Sequence, residues 1–141
     1  GASQEKKDIF EIWRAHTPPY IATVAPRYPL DLEEKFARAA AFTGPKMFLM
    51  LGACPTGWLY DPGKTPEVAK LAVETGLWPL KEAINGVVTH TYVPKRKPVE
   101  AYLKLQGRFR HLFEPAVQAD AIQHIQARVD AYWERATREG S

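Results

Sequence analysis

The sequence predicts an α/β domain in which an open sheet is flanked by helices. Helical and strand patterns alternate from residue 5 to residue 51, which is typical of a sheet with right-handed crossover connections. The nearly continuous apolar run MFLML at 47–51 indicates a strand buried on both faces. Asn85-Gly86 lies between two alternating stretches and is a strong hairpin signal, which predicts a β-hairpin at the sheet edge.

Length and composition predict one domain over 1–141, with no boundary and no internal repeat. A chain of 141 residues can bury one core but is short for two, and 45% hydrophobic with 25% charged residues indicates a globular protein. No apolar run approaches the roughly 18 residues of a membrane span, and the N-terminus is not built like a signal peptide. The single cysteine suits a reducing compartment. We therefore expect a cytoplasmic protein with no membrane partner.

The first helix and strand follow from periodicity and from breakers. KKDIFEIWRAH predicts an amphipathic helix over residues 5–16, with Ile9, Ile12, Trp13 and His16 at helical spacing. Thr17-Pro18-Pro19 ends this helix. YIATVA is then a short β-rich run bounded by prolines, which predicts a strand.

A second helix precedes the apolar run MFLML. DLEEKFARAAAF has acidic residues in its first turn and Arg38 near its end, the charge order that a helix dipole favours. We expect Leu32, Phe36 and Ala39 or Ala40 to face the core. Thr43-Gly44-Pro45 closes the helix.

The second half predicts further helices around the hairpin. Thr65 and Pro66 have the character of an N-cap and a first helical residue, and Gly76 ends that helix. Its inner face is predicted to hold Val68, Leu71, Ala72 and Thr75. PVEAYLKLQ predicts a short helix behind Pro98. Residues 116–138 predict a helical arm, with Ile122, Ile125, Val129 and Tyr132 or Trp133 repeating, that packs on this domain or on another subunit.

Cys54 is the residue whose position most suggests a function. It follows MFLML, and in open α/β sheets ligands bind in the loops at the carboxyl ends of strands. Motifs for serine hydrolases, zinc proteases, phosphate loops and EF-hands are absent. The four histidines have no spacing that brings one of them to Cys54.

Three roles for Cys54 remain open at this point. It could be a buried small apolar residue, a reactive thiol in an electropositive pocket, or one thiolate of a metal or iron–sulfur site whose other ligands lie elsewhere. Pro55 stiffens the chain after the cysteine, Gly57 permits a tight turn or close backbone approach, and Trp58 offers a shield against water. A rigid, dry loop suits a redox centre and equally suits a structural turn.

Net charge is +3, and the basic residues of the second half concentrate between 95 and 110. They are Lys95, Arg96, Lys97, Lys104, Arg108 and Arg110. A solvated face explains such a stretch, and a surface for a polyanion or an acidic protein is the alternative. The stretch has no nucleic-acid recognition motif, so we expect no nucleic-acid partner. A competing hypothesis is a non-catalytic interaction module that uses this stretch and the terminal helix.

Longer motifs connect the chain to a known family. ACPTGW, KTPEVAKLAVETGLWPL and KPVEAYLKLQGRFRHL occur in order, preceded by PYIATVAPRYPLDLEEKFARA. Together they resemble the carboxyl-terminal half of the β subunit of 2-oxoacid:ferredoxin oxidoreductases of the pyruvate synthase type, over about residues 5–112. The resemblance implies part of a thiamine-diphosphate-binding-type parallel sheet flanked by helices, with a C-terminal hairpin and a helical arm.

The resemblance also implies an activity and its cofactors. Enzymes of this family use thiamine diphosphate and Mg²⁺ to decarboxylate a 2-oxoacid such as pyruvate, pass the acyl group to coenzyme A, and send electrons through [4Fe-4S] clusters to ferredoxin. By resemblance, Cys54 is one ligand of the cluster beside the thiamine. Pro55, Thr56, Gly57 and Trp58 complete its binding loop. No catalytic residue is implied within this chain.

The sequence departs from the family in lacking its other three cluster cysteines and its GDG-type diphosphate loop. We therefore expect a partner segment of the β subunit that carries CxxC and GDG motifs, together with α, γ and δ-type subunits, and no turnover by this chain alone. Trp58 and Tyr60 either line the cluster or pack in the core. The side chains of Arg108, Arg110 and His111 either contact a partner or are solvated. We expect His90 to be structural or exposed, and Glu74 to be a surface or ion-pair residue.

Overall fold

The computed structural model describes residues 6–139, which form a mixed sheet with helices on both faces. The strands are β1 (Tyr20–Val24), β2 (Lys46–Met50), β3 (Leu80–Ile84) and β4 (Val87–Tyr92). The helices are α1 (Ile9–Ala15), α2 (Pro29–Ala40), α3 (Pro55–Trp58), α4 (Thr65–Glu74), α5 (Val99–Leu103) and α6 (Ala119–Arg138). Short 3₁₀ segments span Pro62–Lys64 and Gly107–Leu112. The α/β class is confirmed.

The sheet has the strand order β2-β1-β3-β4. β1 pairs in parallel with β2 and antiparallel with β3, and β3 pairs antiparallel with β4. The predicted parallel arrangement is therefore limited to the β1 and β2 pair. Every residue of β1 is buried, so this strand is the centre of the sheet.

The Asn85-Gly86 hairpin is confirmed, and β4 forms one edge of the sheet as expected. Asn85 and Gly86 have φ values of 50° and 84°. Two consecutive left-handed residues produce the backbone twist that joins antiparallel strands through a two-residue turn.

The prediction that MFLML is buried on both faces is wrong. β2 forms the other edge of the sheet, and its residues are half-buried in the middle and exposed at both ends. Phe48 packs on one face of β2 and Met47 and Leu49 on the other, but within residues 6–139 these contacts leave all three side chains only half-buried. Phe48 packs against α2, where its ring stacks on Phe36 at a centroid separation of 4.2 Å.

The inner face of α2 also differs from the prediction. Ala39 is buried and Leu32 is half-buried, as expected, but Phe36 remains 43% exposed while Lys35 is fully buried. Lys35 Nζ donates to the Thr23 carbonyl at 2.8 Å and to Asp31 at 2.6 Å. A buried ammonium requires such partners, and burial still lowers the pKa of Lys35.

A second polar connection joins α2 to the sheet. Arg38 Nε lies 3.0 Å from a carboxylate oxygen of Glu82 on β3, and the Tyr20 hydroxyl of β1 donates to the same oxygen. Burial, followed by the hydrogen bond to Glu82, raises the pKa of Tyr20. The ion pair between helix and sheet is thus shared by three elements.

The first helix buries a residue that the helical spacing did not single out. α1 begins after Asp8, whose carboxylate accepts the Glu11 N–H at 3.1 Å, and residue 5 of the predicted helix lies outside the described residues. Phe10 is buried, whereas Ile9, Ile12 and Trp13 are 41–44% exposed.

A second layer of the core lies between α4, α5 and α6. The predicted inner residues of α4, Val68, Leu71, Ala72 and Thr75, are all buried. The terminal helix begins at residue 119 rather than 116 and packs on this domain through Val129, Trp133 and Ala136. Ile122 and Ile125 lie at the margin of the same cluster. None of the helices within residues 6–139 has the length and apolar character needed to cross a bilayer.

Replacement of Gly76 by alanine should destabilise this second layer strongly. Gly76 has φ of 83°, and an added Cβ would lie 2.4 Å from Nε1 of Trp133, which donates to the Gly76 carbonyl at 3.0 Å. We expect the free energy of unfolding to fall by about 2–4 kcal/mol, from backbone strain and overpacking together. Urea denaturation measures this change.

Gly86→Ala is the matched control, because its φ is 84° but nothing lies within 4 Å of the added Cβ. It should cost about 1–2 kcal/mol from backbone strain alone. Equal decreases in the free energy of unfolding for Gly76→Ala and Gly86→Ala would contradict the packing argument.

Candidate functional site

Cys54 begins the short helix that follows β2. The Leu51 N–H still bonds to the Val24 carbonyl at 3.0 Å, and the chain then leaves the sheet edge. Cys54 has extended backbone angles and acts as the N-cap of α3, with Sγ accepting the Gly57 N–H at 3.3 Å. Its carbonyl accepts the Trp58 N–H at 2.9 Å. Both the thiol and the backbone of Cys54 are therefore held by the turn that follows.

The remaining loop residues give this turn its shape. Pro55 occupies the first helical position, where a missing N–H costs nothing, and Thr56 is exposed. A Cβ at Gly57 would lie 3.4 Å from Cys54 Sγ, so a side chain there would stand against the thiol. Leu59 ends the helix in a left-handed conformation, with φ of 58°.

Cys54 is exposed, so within residues 6–139 it does not pack as a buried apolar residue. Trp58, which the sequence offered as a shield for the cysteine, packs against the second core layer and beneath Arg108. The chain thus presents a fixed thiol outward from the end of β2.

The Cys54 turn is fastened to the 3₁₀ segment Gly107–Leu112 by a backbone contact. The Gly107 N–H donates to the Leu59 carbonyl at 2.7 Å. A Cβ at Gly107 would approach Leu59 Cβ to 2.7 Å and the Leu59 carbonyl oxygen to 2.9 Å. Only glycine permits this approach, because a real Cβ does not come so close to backbone atoms.

Arg108 makes the second connection. Its guanidinium carbon lies 4.0 Å from the centroid of the Trp58 ring and 4.5 Å from that of Phe109. It donates to Gln106 Oε1 at 2.6 Å and to the Tyr102 hydroxyl at 3.1 Å. Arg108 is therefore paired within the chain, and it holds the tryptophan that closes α3.

Tyr60 packs at the margin of the second core layer. The centroid of its ring lies 6.4 Å from that of Trp58. The Tyr60 hydroxyl has no hydrogen-bond partner among the described residues. Trp58 and Tyr60 thus both contribute to core packing behind the Cys54 turn.

His90 lies away from Cys54 in a cluster that the sequence did not indicate. Its Nε2 is 2.6 Å from the Tyr132 hydroxyl, and Lys81 Nζ donates to the same hydroxyl at 3.0 Å. Burial, and then the neighbouring Lys81 charge, lowers the pKa of His90 to about 4. His90 is accordingly neutral near pH 7, and its role is structural, as expected.

Glu74 is an ion-pair residue, as expected. Its carboxylate oxygens lie 2.7 Å from Lys97 Nζ and 3.6 Å from Lys70 Nζ. The hydrogen bond from Lys97 is the main cause that lowers the pKa of the Glu74 carboxyl.

The basic stretch is largely neutralised within the chain. Arg96 pairs with Asp130 at 2.6 Å, Lys104 with Glu100 at 2.9 Å, and Arg110 with Glu114 at 4.0 Å. His111 is exposed. Lys97 pairs with Glu74, whereas Arg108 donates to the neutral groups of Gln106 and Tyr102. Four of the six basic residues of this stretch therefore have an acidic partner within the chain.

Comparisons with known proteins show which proteins this chain is similar to. No family model matches the chain. Pyruvate synthase subunit PorB of Methanocaldococcus jannaschii is 46% identical over 131 residues, which are 92% of this chain and 42% of the relative. PorB of Methanosarcina barkeri is 43% identical, over 92% and 44% of the two chains. This chain is a homologue of the PorB subunits.

The chain spans less than half the length of these PorB relatives. Ketoisovalerate oxidoreductase subunit VorB of Pyrococcus abyssi is also similar, with 38% identity over 94% of this chain and 42% of the relative. The homology to PorB confirms the family that the CPTGW and GRFRHL motifs indicated.

The contact between Gly107 and Leu59 can be tested through the Cys54 turn. Gly107→Ala should lower the free energy of unfolding by about 1–3 kcal/mol, because the new Cβ overpacks against backbone. It should also speed hydrogen exchange at the Gly57 and Trp58 amides. Gly52→Ala, where nothing lies within 4 Å of the Cβ, should leave that exchange unchanged. Unchanged exchange in Gly107→Ala would show that the two segments are independent.

The half-buried His90 predicts a loss of stability in acid. Its folded pKa of about 4 lies below the ordinary value of 6.5, so the unfolded chain binds a proton that the folded chain does not. The stability that His90 contributes should be present above pH 6.5 and lost as the pH falls toward 4. Between pH 6.5 and pH 5 the loss should be about 2 kcal/mol.

Urea denaturation across this range, compared with His90→Gln, measures the contribution of His90. The variant should show a flatter dependence on pH. If the free energy of unfolding changed equally with pH in both proteins, the acid sensitivity would belong to groups other than His90.

Proposed function

We propose that this chain is part of the β subunit of a thiamine diphosphate-dependent 2-oxoacid:ferredoxin oxidoreductase and supplies Cys54 as one ligand of a [4Fe-4S] cluster. The homology to PorB, together with an exposed thiol at the end of β2, carries the proposal. The chain would have no turnover alone, since it spans less than half of its relatives.

The donor set fits a shared cluster rather than a complete site. Within residues 6–139, no group of three or more His, Cys, Asp or Glu side chains could hold a metal ion. A [4Fe-4S] cluster generally takes four thiolates, and Cys54 offers one. The other three would come from a segment of the β subunit that carries CxxC and GDG motifs.

The turn around Cys54 suits a cluster ligand for physical reasons. The Gly57 N–H points at Sγ, and hydrogen bonds to ligand sulfur are one of the factors that set a cluster's reduction potential. Gly107 and Arg108 fix the far side of the same turn. The thiol would therefore be held in position before metal binds. An exposed thiol would become dry only when the partner segment covers it.

The remaining chemistry would be supplied by groups bound mainly outside this chain. Thiamine diphosphate with Mg²⁺ would decarboxylate the 2-oxoacid for acyl transfer to coenzyme A, and the cluster would carry the electrons toward ferredoxin. The α, γ and δ-type subunits would complete the assembly. We place it in the cytoplasm, where a reducing environment preserves thiolate ligands.

The substrate would be a 2-oxoacid such as pyruvate. PorB relatives are 36–47% identical to this chain, and the ketoisovalerate oxidoreductase subunit VorB lies within that range at 38%. Identity to these relatives therefore supports the 2-oxoacid class as a whole rather than one member of it.

The ligand role of Cys54 is tested in the assembled complex by Cys54→Ala. We expect bound iron to fall and the paramagnetic signal of the reduced [4Fe-4S] cluster next to the thiamine to disappear or convert to a three-iron signal. Iron analysis and low-temperature paramagnetic resonance measure this. Thr56→Ala, an exposed change in the same turn, should retain both iron and signal. An undiminished four-iron signal in Cys54→Ala would exclude Cys54 as a ligand.

A further inference from the structure

Arg108 lies behind the Cys54 turn and carries a charge that no acidic residue within residues 6–139 neutralises. Its two hydrogen bonds go to the Gln106 side chain and to the Tyr102 hydroxyl. Burial raises the pKa of Tyr102, so this hydroxyl stays protonated near pH 7. Since an arginine keeps its proton at that pH, the fold holds an uncompensated positive charge here.

The basic residues on either side of Arg108 are arranged differently. Lys104 pairs with Glu100 at 2.9 Å and Arg110 with Glu114 at 4.0 Å. Both of these basic residues are exposed, whereas Arg108 is half-buried. A cation withdrawn from water costs free energy unless other groups compensate for its lost hydration. The position of Arg108 therefore calls for an explanation that a solvated surface charge does not need.

Aromatic rings fix the guanidinium against the turn. Its carbon lies 4.0 Å from the ring centroid of Trp58 and 4.5 Å from that of Phe109. The Trp58 N–H bonds to the Cys54 carbonyl at 2.9 Å. The charge is thus in direct contact with the residue that closes the helical turn beginning at the thiol.

This arrangement suits action through the electric field better than direct binding of an anion. A guanidinium recognises phosphate or carboxylate groups through two parallel N–H bonds. The Nε and Nη2 atoms of Arg108 already donate within the chain, and two rings pack against the group. The field of a half-buried charge needs no free N–H and is screened less by salt than that of an exposed charge.

The Cys54 turn has no negative side chain of its own. GACPTGWLY at 52–60 contains no Asp or Glu, and Asp61, which follows it, accepts the Gly63 N–H at 2.8 Å. The Gly57 N–H directs the positive end of its dipole at Cys54 Sγ. A backbone dipole and the Arg108 charge therefore act with the same sign on a group bound at this sulfur.

We propose that Arg108 raises the reduction potential of the cluster that Cys54 ligates. The proposal rests on the proposed function and assigns a residue that regulates the same site. A cluster held by thiolates is anionic, and its reduction adds one electron, which oxidation of the 2-oxoacid supplies. A fixed positive charge consequently stabilises the reduced state more than the oxidised state. Arg108 is a positioning residue for charge and not a ligand.

The experiment measures the cluster in the assembled complex. The paramagnetic signal that Cys54→Ala abolishes identifies the cluster, and the complex is held at the potential that half-reduces this signal in the unchanged protein. Arg108→Gln should lower the ratio of reduced to oxidised cluster at least about threefold at that potential. An unchanged ratio in a variant with full iron content would overturn the proposal.

Arg108→Lys separates the charge from the packing. Lysine keeps the charge but lacks the planar group that stacks on Trp58. We expect the ratio of reduced to oxidised cluster in this variant to stay within about twofold of the unchanged protein. Equal decreases for Arg108→Lys and Arg108→Gln would show that Arg108 acts by holding Trp58 and would overturn the electrostatic role.

Arg110→Gln is the matched control, because it removes an exposed charge that pairs with Glu114 two residues further from the turn. It should leave the ratio unchanged. A decrease as large as that for Arg108→Gln would assign the effect to net charge and overturn the proposal. If Arg108→Gln does not fold, Arg108→Met gives the same measurement, since its neutral side chain can still pack on Trp58.

The outcomes distinguish this proposal from the proposed function. A four-iron signal that survives Cys54→Ala would reject the ligand role of Cys54, and this proposal with it. Loss of the signal in Cys54→Ala, together with a ratio that is indifferent to both neutral variants of Arg108, would retain the proposed function and reject the role of Arg108 alone.

Discussion

The complete burial of β1 is the constraint on which the rest of the structure depends. This strand bonds to β2 in parallel and to β3 antiparallel, so it fixes the direction of both. Near the carboxyl end of β1, the buried Lys35 of α2 donates to the Thr23 carbonyl and to Asp31. Within residues 6–139, β1 is the strand that aligns β2, so the place where β2 stops, and therefore the place of Cys54, is set from β1.

The candidate site is supported from two directions. The sheet delivers the cysteine to the end of β2, while the segment from Tyr102 to Leu112 holds the turn from behind through Gly107 and Arg108. One contact is made by the backbone N–H of Gly107, and the other by Arg108, whose guanidinium also donates to the buried Gln106 side chain. The thiol is exposed on one side and rigidly backed on the other, which suits a ligand offered to a partner.

Local signals in the sequence predicted much of the fold. The hairpin at Asn85 and Gly86, the inner face of α4 and the packing of α6 follow from turn chemistry and helical periodicity. The exposure of β2 and the burial of Lys35 in place of Phe36 did not follow. Periodicity reports apolar character, but whether an apolar strand is covered depends on neighbours that pair from distant parts of the chain or from outside it.

The position of Cys54 in the fold followed from the sequence, but its surroundings did not. Cys54 was singled out by its place after an apolar strand, and the motif resemblance assigned it a cluster. The exposure of its thiol and the stacking of Trp58 under Arg108 could not be predicted, because side-chain direction in a loop is set by the packing of remote segments. The cluster of Lys81, His90 and Tyr132 had no sequence signal, as its members come from two strands and the last helix.

The contact between Gly107 and Leu59 has a consequence for engineering. The approach involves backbone atoms of Leu59 as well as its side chain, so no change of rotamer can relieve a side chain introduced at position 107. The smallest portable unit that presents this thiol is consequently discontinuous: residues 54–60 together with residues 102–112. A graft of the CPTGW pentapeptide into another scaffold would keep the sequence of the motif but lose the contacts from residues 102–112 that hold its sulfur in position.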